Sequence, residues 1–128
     1  MEKVCFKTQK GPAAVGPYST ATIAGGIIYL SGMIGIDPAA QKPVEGGTLA
    51  QAKQAFENIK TVLGELGATL DDVLKTTVYL TDIGEFGEVN KLYAQYFGPD
   101  FPARTCVEVS RLPMGLSIEV ECIARAKD

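Results

Sequence analysis

Apolar and polar positions alternate most clearly near the end of the chain. Ile118, Val120, Cys122 and Ala124 alternate with Glu119, Glu121, Ile123 and Arg125. A period of two is that of a strand with one buried face. Thr105, Val107 and Val109 alternate in the same way with Arg104, Cys106, Glu108 and Ser110, which predicts a second strand over 104–110. Leu112-Pro113-Met114-Gly115 reads as the turn between them. Val73 to Leu80 is a third strand, with Thr76, Val78 and Leu80 set against Lys75, Thr77 and Tyr79. In two stretches the period changes to that of a helix. Leu49, Ala52, Phe56, Ile59, Leu63 and Leu66 mark the apolar stripe of a long helix, with Thr48 as N-cap and Gly67 as stop. Phe86, Val89, Tyr93 and Phe97 mark the stripe of a second, capped by Asp82 and ended by Gly98-Pro99.

Before the first helix the pattern is weaker. Val4 to Lys7 fits a short strand, and Gly11-Pro12 and Gly16-Pro17 bracket a turn-rich segment leading to Tyr18 and Ser19. Gly25-Gly26 is a tight turn before Ile27-Ile28-Tyr29-Leu30, a strand apolar on both faces and therefore expected to be covered on both. Ser31-Gly32 ends it, and residues 35–47 read as a loop. The resulting order, β-β-α-β-α-β-β, predicts an α+β fold. Two helices pack on one face of a mixed sheet, in a single domain over 1–128. The other face is expected to carry Arg104, Cys106 and one of the two last-strand glutamates. A lone two-layer domain would leave that face to solvent, although it holds Tyr, Cys and Ile side chains. Packing of subunits over it would resolve the conflict and create clefts with buried charge.

Composition removes whole classes of chemistry. The chain has no histidine and no tryptophan, and its three cysteines, Cys5, Cys106 and Cys122, form no Cys-x-x-Cys pair. Zinc sites, facial-triad iron and His-assisted nucleophiles are therefore not expected, and the expected metal and cofactor content is none. Neither of the common glycine-rich phosphate loops is present. A net charge of -3 with no basic cluster argues against nucleic acid as a partner. No apolar run approaches a membrane span, and Met1 to Lys10 lacks the apolar core of a secretory signal. With widely spaced cysteines odd in number, the expected setting is a reducing cytoplasm.

Chemistry must then come from carboxylates, Arg, Lys, Cys, Tyr, backbone groups and water. Arg104 and Cys106 lie two apart on one strand, hence on one face and roughly 7 Å apart. A guanidinium aimed into a pocket grips a carboxylate through two parallel N–H···O bonds, although a strand Arg can equally be a surface ion-pair partner. Glu119 and Glu121 share a face of the neighbouring strand if the two last strands form a hairpin. A glutamate in a partly desolvated cleft can activate water, whereas on a solvated edge it does nothing of the kind. Cys106 has no histidine to activate it and fits a buried structural role better than a nucleophile. Tyr18, Ser31 and Asn90 are individually unremarkable.

Taken together, several stretches resemble the RidA family (reactive intermediate deaminase A; enamine/imine deaminases). They are Gly16-Pro17-Tyr18-Ser19, Leu30-Ser31-Gly32, Lys75-Thr76-Thr77-Val78-Tyr79-Leu80, and Val89-Asn90 followed by Tyr93. The most specific is Phe101-Pro102-Ala103-Arg104-Thr105-Cys106-Val107-Glu108-Val109, followed by Leu112-Pro113 and Ile118-Glu119-Val120-Glu121. The likeness runs over essentially the whole chain in order. It implies a chorismate-mutase-like fold and a homotrimer with sites between subunits. It also implies hydrolysis of 2-iminobutanoate and 2-iminopropanoate, products of pyridoxal-phosphate dehydratases, to 2-oxo acids and ammonia. By the same resemblance Arg104 would bind the substrate carboxylate and Glu119 would position and deprotonate water. Cys106 would line the site largely through its backbone, and Tyr18, Ser31, Gly32 and Asn90 would complete the pocket. Met33 and Thr20 stand where Gln is common in such proteins; a pocket-lining Met33 would favour more apolar substrates.

Other functions compete with this one. A non-catalytic sensor of small 2-oxo acids would use the same Arg104 but has no need of Glu119. An RNA-directed translation inhibitor or ribonuclease, as relatives have been described, fits poorly with the acidic charge. Chorismate mutase chemistry would be an argument from fold alone, and a dicarboxylate wants more than one convergent cation.

Overall fold

The computed structural model describes residues 1–127. A six-stranded sheet is built from β1 (Val4–Phe6), β2 (Ala21–Ala24), β3 (Ile27–Ile34), β6 (Val73–Leu80), β7 (Ala103–Glu108) and β8 (Ile118–Arg125). Its order is β1-β2-β3-β8-β6-β7. All neighbours are antiparallel except β6 and β7, which run parallel and are joined through α2 (Phe86–Phe97). The longer helix α1 (Gly47–Glu65) lies beside α2, and both cover the same face of the sheet. This is the α+β arrangement of a mixed sheet with two helices on one face. No described helix is long and apolar enough to cross a membrane.

The core forms between that face and the helices. Ile118, Val120, Cys122 and Ala124 of β8, Val78 and Leu80 of β6, and Ile28 and Leu30 of β3 are buried against Phe56, Ile59, Val62 and Leu63 of α1. Val89, Tyr93 and Phe97 of α2 close the other end. Phe56 meets Tyr93 and Phe97 edge-on at centroid separations of 5.8 and 5.5 Å, a favoured aromatic geometry.

Several elements differ from the pattern-based expectation. Thr48 does not cap α1; the cap lies two residues earlier, at Gly46, whose φ of 114° suits glycine. The Thr48 hydroxyl instead bonds Glu85 and Ser117, tying the start of α1 to two loops. Leu49, expected in the stripe, is 43% exposed. Asp82 caps a single 3₁₀ turn, Ile83–Glu85, which leads into α2. Gly25 and Gly26, both at positive φ, join β2 to β3 as a hairpin, so Ala21–Ala24 is a strand that the sequence pattern left unassigned. β3 does not stop at Ser31-Gly32 but passes through an irregularity between Leu30 and Met33 and continues to Ile34. The 35–47 loop contains a two-residue ladder, β4 (Ile36–Asp37) with β5 (Lys42–Pro43).

One buried charge fastens the end of β8. Asp72 is 1% exposed. It accepts from Arg125 Nε at 2.8 Å and from the Thr69 backbone N–H at 2.9 Å, with Lys127 at 3.5 Å. Burial alone would push its carboxyl up, but these partners outweigh it and hold the pKa below the ordinary value. A depressed folded pKa contributes stability that is present above the unfolded pKa and lost as pH falls through the folded one. Asp72→Asn should therefore lower the urea midpoint at pH 7. The gap to wild type should shrink as pH falls below about 4, an unperturbed aspartate's range. Parallel urea titrations at neutral and acid pH test this; an undiminished gap in acid would assign the effect to packing.

Candidate active site

The expected site residues divide into two groups on opposite faces of the sheet. In the parallel β6–β7 register, Arg104 lies beside Thr76 and Cys106 beside Val78. Thr76 and Val78 are buried beneath the helices. Arg104 and Cys106 therefore point to the helix side, not to the open face where the alternation had placed them. Glu119 and Glu121 of β8 lie beside Tyr79 and Thr77, on the open face. The cause of the reversal lies in β7, an edge strand whose side chains are exposed or only partly buried on both faces. Its polar–apolar contrast carries no information about which face meets the core.

On the helix side, Arg104 Nη1 donates to Asn90 Oδ1 at 2.7 Å. Its Cζ lies 4.8 Å from the Tyr93 ring centroid and 5.2 Å from that of Phe86. Asn90 thus meets Arg104 directly. Cys106 is partly buried, and burial pushes its thiol up, with Arg104 opposing the shift. A thiol held protonated is a poor nucleophile.

On the open side a cavity of about 840 Å³ opens between the end of β3, the segment before β2, and β8. Tyr18, Ser31, Gly32 and Glu119 line it, as does Glu121; Arg104, Asn90 and Cys106 do not. Glu119 is partly buried and its carboxyl is raised above the ordinary value, first by burial and then by the Glu121 charge. Gly32 makes room for it, since a Cβ there would overlap the Glu119 carboxylate. Ser31 is engaged structurally: its hydroxyl donates to the Ser19 carbonyl at 2.6 Å and its N–H to the Thr20 carbonyl at 2.9 Å. Met33 borders the cavity but is only 5% exposed, in register with core residue Val120. Thr20 is 2% exposed, and its hydroxyl accepts from the Thr8 N–H at 3.0 Å.

The cavity wall includes parts that the sequence did not flag. Pro12 to Val15 and the loop residue Met114 contribute to it. Met114 has a φ of 61°, left-handed backbone that non-glycine residues seldom adopt. The segment before Tyr18 is tied down at two points. Glu65, in the last turn of α1, accepts from the Thr8 hydroxyl and from the Gln9 N–H, the latter at 2.9 Å. Lys7 Nζ donates to the Tyr18 carbonyl at 2.5 Å. No motif marks these contacts, which join residues far apart in the chain.

This arrangement resembles known proteins along its whole length. The family described as Endoribonuclease L-PSP matches residues 8–126. A RutC family protein of Pyrococcus abyssi is 48% identical over 97% of this chain and 98% of its own. The human 2-iminobutanoate/2-iminopropanoate deaminase is 46% identical over 93% of this chain and 87% of its own. A yeast crystal structure superposes with a TM-score of 0.94 at 40% identity, covering 98% of this chain and all of the other.

Proposed function

Because the chain belongs to the RidA family, whose family model carries the description Endoribonuclease L-PSP, we propose that it hydrolyses short 2-imino acids, 2-iminobutanoate and 2-iminopropanoate, to 2-oxo acids and ammonia. The observation that carries this reading is Glu119, a partly buried carboxylate with a raised pKa on a cavity wall that glycine leaves open. A protonated 2-imino acid is a zwitterion. Its iminium suits the acidic cavity wall and its carboxylate suits a guanidinium.

Arg104 grips the carboxylate and Glu119 holds a water against the iminium carbon. As the water oxygen bonds to C2, Glu119 takes its proton and the C=N π electrons move to nitrogen. Glu119 then returns that proton to the nitrogen of the carbinolamine. The C–N bond then breaks as Glu119 takes the hydroxyl proton, and the departing ammonia picks that proton up, leaving the 2-oxo acid and ammonium. Protonated imines are strong electrophiles, so positioning and fixed charge suffice and no metal or cofactor is called for. The acidic wall repels a phosphodiester, which favours this reading over an RNA substrate.

Arg104 and Glu119 of one chain face opposite sides of a sheet and cannot share one small substrate. The proposal therefore includes a homotrimer in which each site takes Arg104 from one subunit and Glu119, Tyr18, Ser31 and Gly32 from the next. Arg104 stands on the sheet's edge strand, where a neighbour can approach. The open face also leaves Tyr29 48% and Val107 40% exposed, apolar surface that a neighbour would cover.

The direct test generates 2-iminobutanoate with threonine dehydratase in the presence of semicarbazide, which traps the free imine. Added protein should divert flux from the semicarbazone to free 2-oxobutanoate in proportion to its concentration. An unchanged semicarbazone yield would reject the reading.

A further inference from the structure

We infer that Asn90, Phe86 and Tyr93 are positioning residues that fix the plane of the Arg104 guanidinium, so that a carboxylate docks at its Nε–Nη2 edge. The inference rests on the reading of Arg104 as the carboxylate anchor. An exposed arginine on an edge strand would ordinarily sample many rotamers, and ordering it costs side-chain entropy. Here α2 removes that freedom before any ligand arrives. Residues 86, 90 and 93 are spaced four and three apart, which puts them on one helical face. That face meets Arg104 with two rings and one amide.

The platform is held from the core. The Tyr93 hydroxyl bonds Thr76 Oγ1 at 2.7 Å, and its ring stacks on Phe97 at 4.5 Å between centroids. Tyr93 therefore cannot turn without disturbing the buried aromatic cluster. Asn90 sets the remaining rotation by accepting from Nη1. Among the described residues no acceptor meets Nε or Nη2, which leaves one edge for a planar anion. The neutral amide also matters. An aspartate in its place would hold the guanidinium as well but would compete with the substrate carboxylate.

The test has a spectroscopic arm and a kinetic arm. In nitrogen-15 NMR of the intact protein, with Arg104 assigned by its loss in Arg104→Lys, wild type should give separate Nη1 and Nη2 signals from slow rotation. Asn90→Ala should average them. In deaminase assays Asn90→Ala should lose about tenfold in kcat/KM, the lower end for a hydrogen bond to a charged group. Phe86→Leu should lose about two- to fivefold. Asn90→Asp should raise KM by more than about tenfold without lowering Tm. In an Arg104→Ala background, Asn90→Ala should cost nothing further, because it acts only through the arginine. Averaged signals in wild type would overturn the inference. So would an Asn90→Ala loss that persists without Arg104, which would mean that Asn90 touches substrate itself. If wild type hydrolyses no imine, the functional proposal fails, while the NMR arm still decides whether the guanidinium is held.

Discussion

Arg104→Ala and Glu119→Ala proteins, each nearly inactive alone, are expected to recover about one quarter of wild-type activity when unfolded together in equal amounts and refolded. Separately, Arg104→Ala should lose about 2–5 kcal/mol in kcat/KM, the cost of leaving a carboxylate unpaired. Glu119→Ala should lose roughly 10²–10⁴-fold in turnover, the span of a positioned general base. Recovery follows from the register: Thr76 carries Arg104 to the helix side, while Tyr79 carries Glu119 to the open side. In a cyclic trimer of mixed variants, one interface unites an intact arginine with an intact glutamate. The deaminase rate of the refolded mixture, set against each variant refolded alone, is the measurement. A mixture no more active than its components would overturn the shared site between subunits.

The second large effect concerns the two glutamates of β8. Glu119→Gln should remove nearly all turnover, whereas Glu121→Gln should leave most of it and move the pH profile. Glu119 must be ionised to accept a proton from water, so kcat/KM falls as pH drops through its pKa. Burial and then Glu121 raise that pKa. Burial persists in Glu121→Gln but the neighbouring charge does not, so the acid limb should shift to lower pH. Profiles of kcat/KM for wild type and Glu121→Gln check the sign. A limb that stays put would remove Glu121 from the electrostatics of the base. A dead Glu121→Gln beside an active Glu119→Gln would exchange their roles.

Much of this was legible where burial is one-sided. β8 alternates between a core face and a carboxylate face, and its sequence says so from Ile118 to Cys122, with Ile123 the apolar exception on the carboxylate side. The helices carry continuous stripes because each buries one side, and the structure departs from the reading only at their ends. Thr48 is a good capping residue in isolation, but two tertiary partners claim its hydroxyl. The β2 strand is short and contains two alanines, so only the Gly25-Gly26 hairpin turn signals that it pairs with β3. The face of Arg104 was not legible. Alternation says which residues share a side of β7 but not which side meets the helices, and Val107 on the open face biases the choice the wrong way. The aromatic surroundings of Arg104 were visible only as the core stripe of α2, since Phe86 and Tyr93 serve both purposes.

On the proposed reading, the division of Arg104 and Glu119 between two faces would tie catalysis to mass action. A folded subunit in isolation would then hold two half-sites and no whole one. Specific activity should then depend on enzyme concentration, constant while subunits stay associated and falling on dilution below their dissociation constant. Rates measured at very low enzyme would understate the protein, and a ligand bridging both halves would hold the assembly together and restore them.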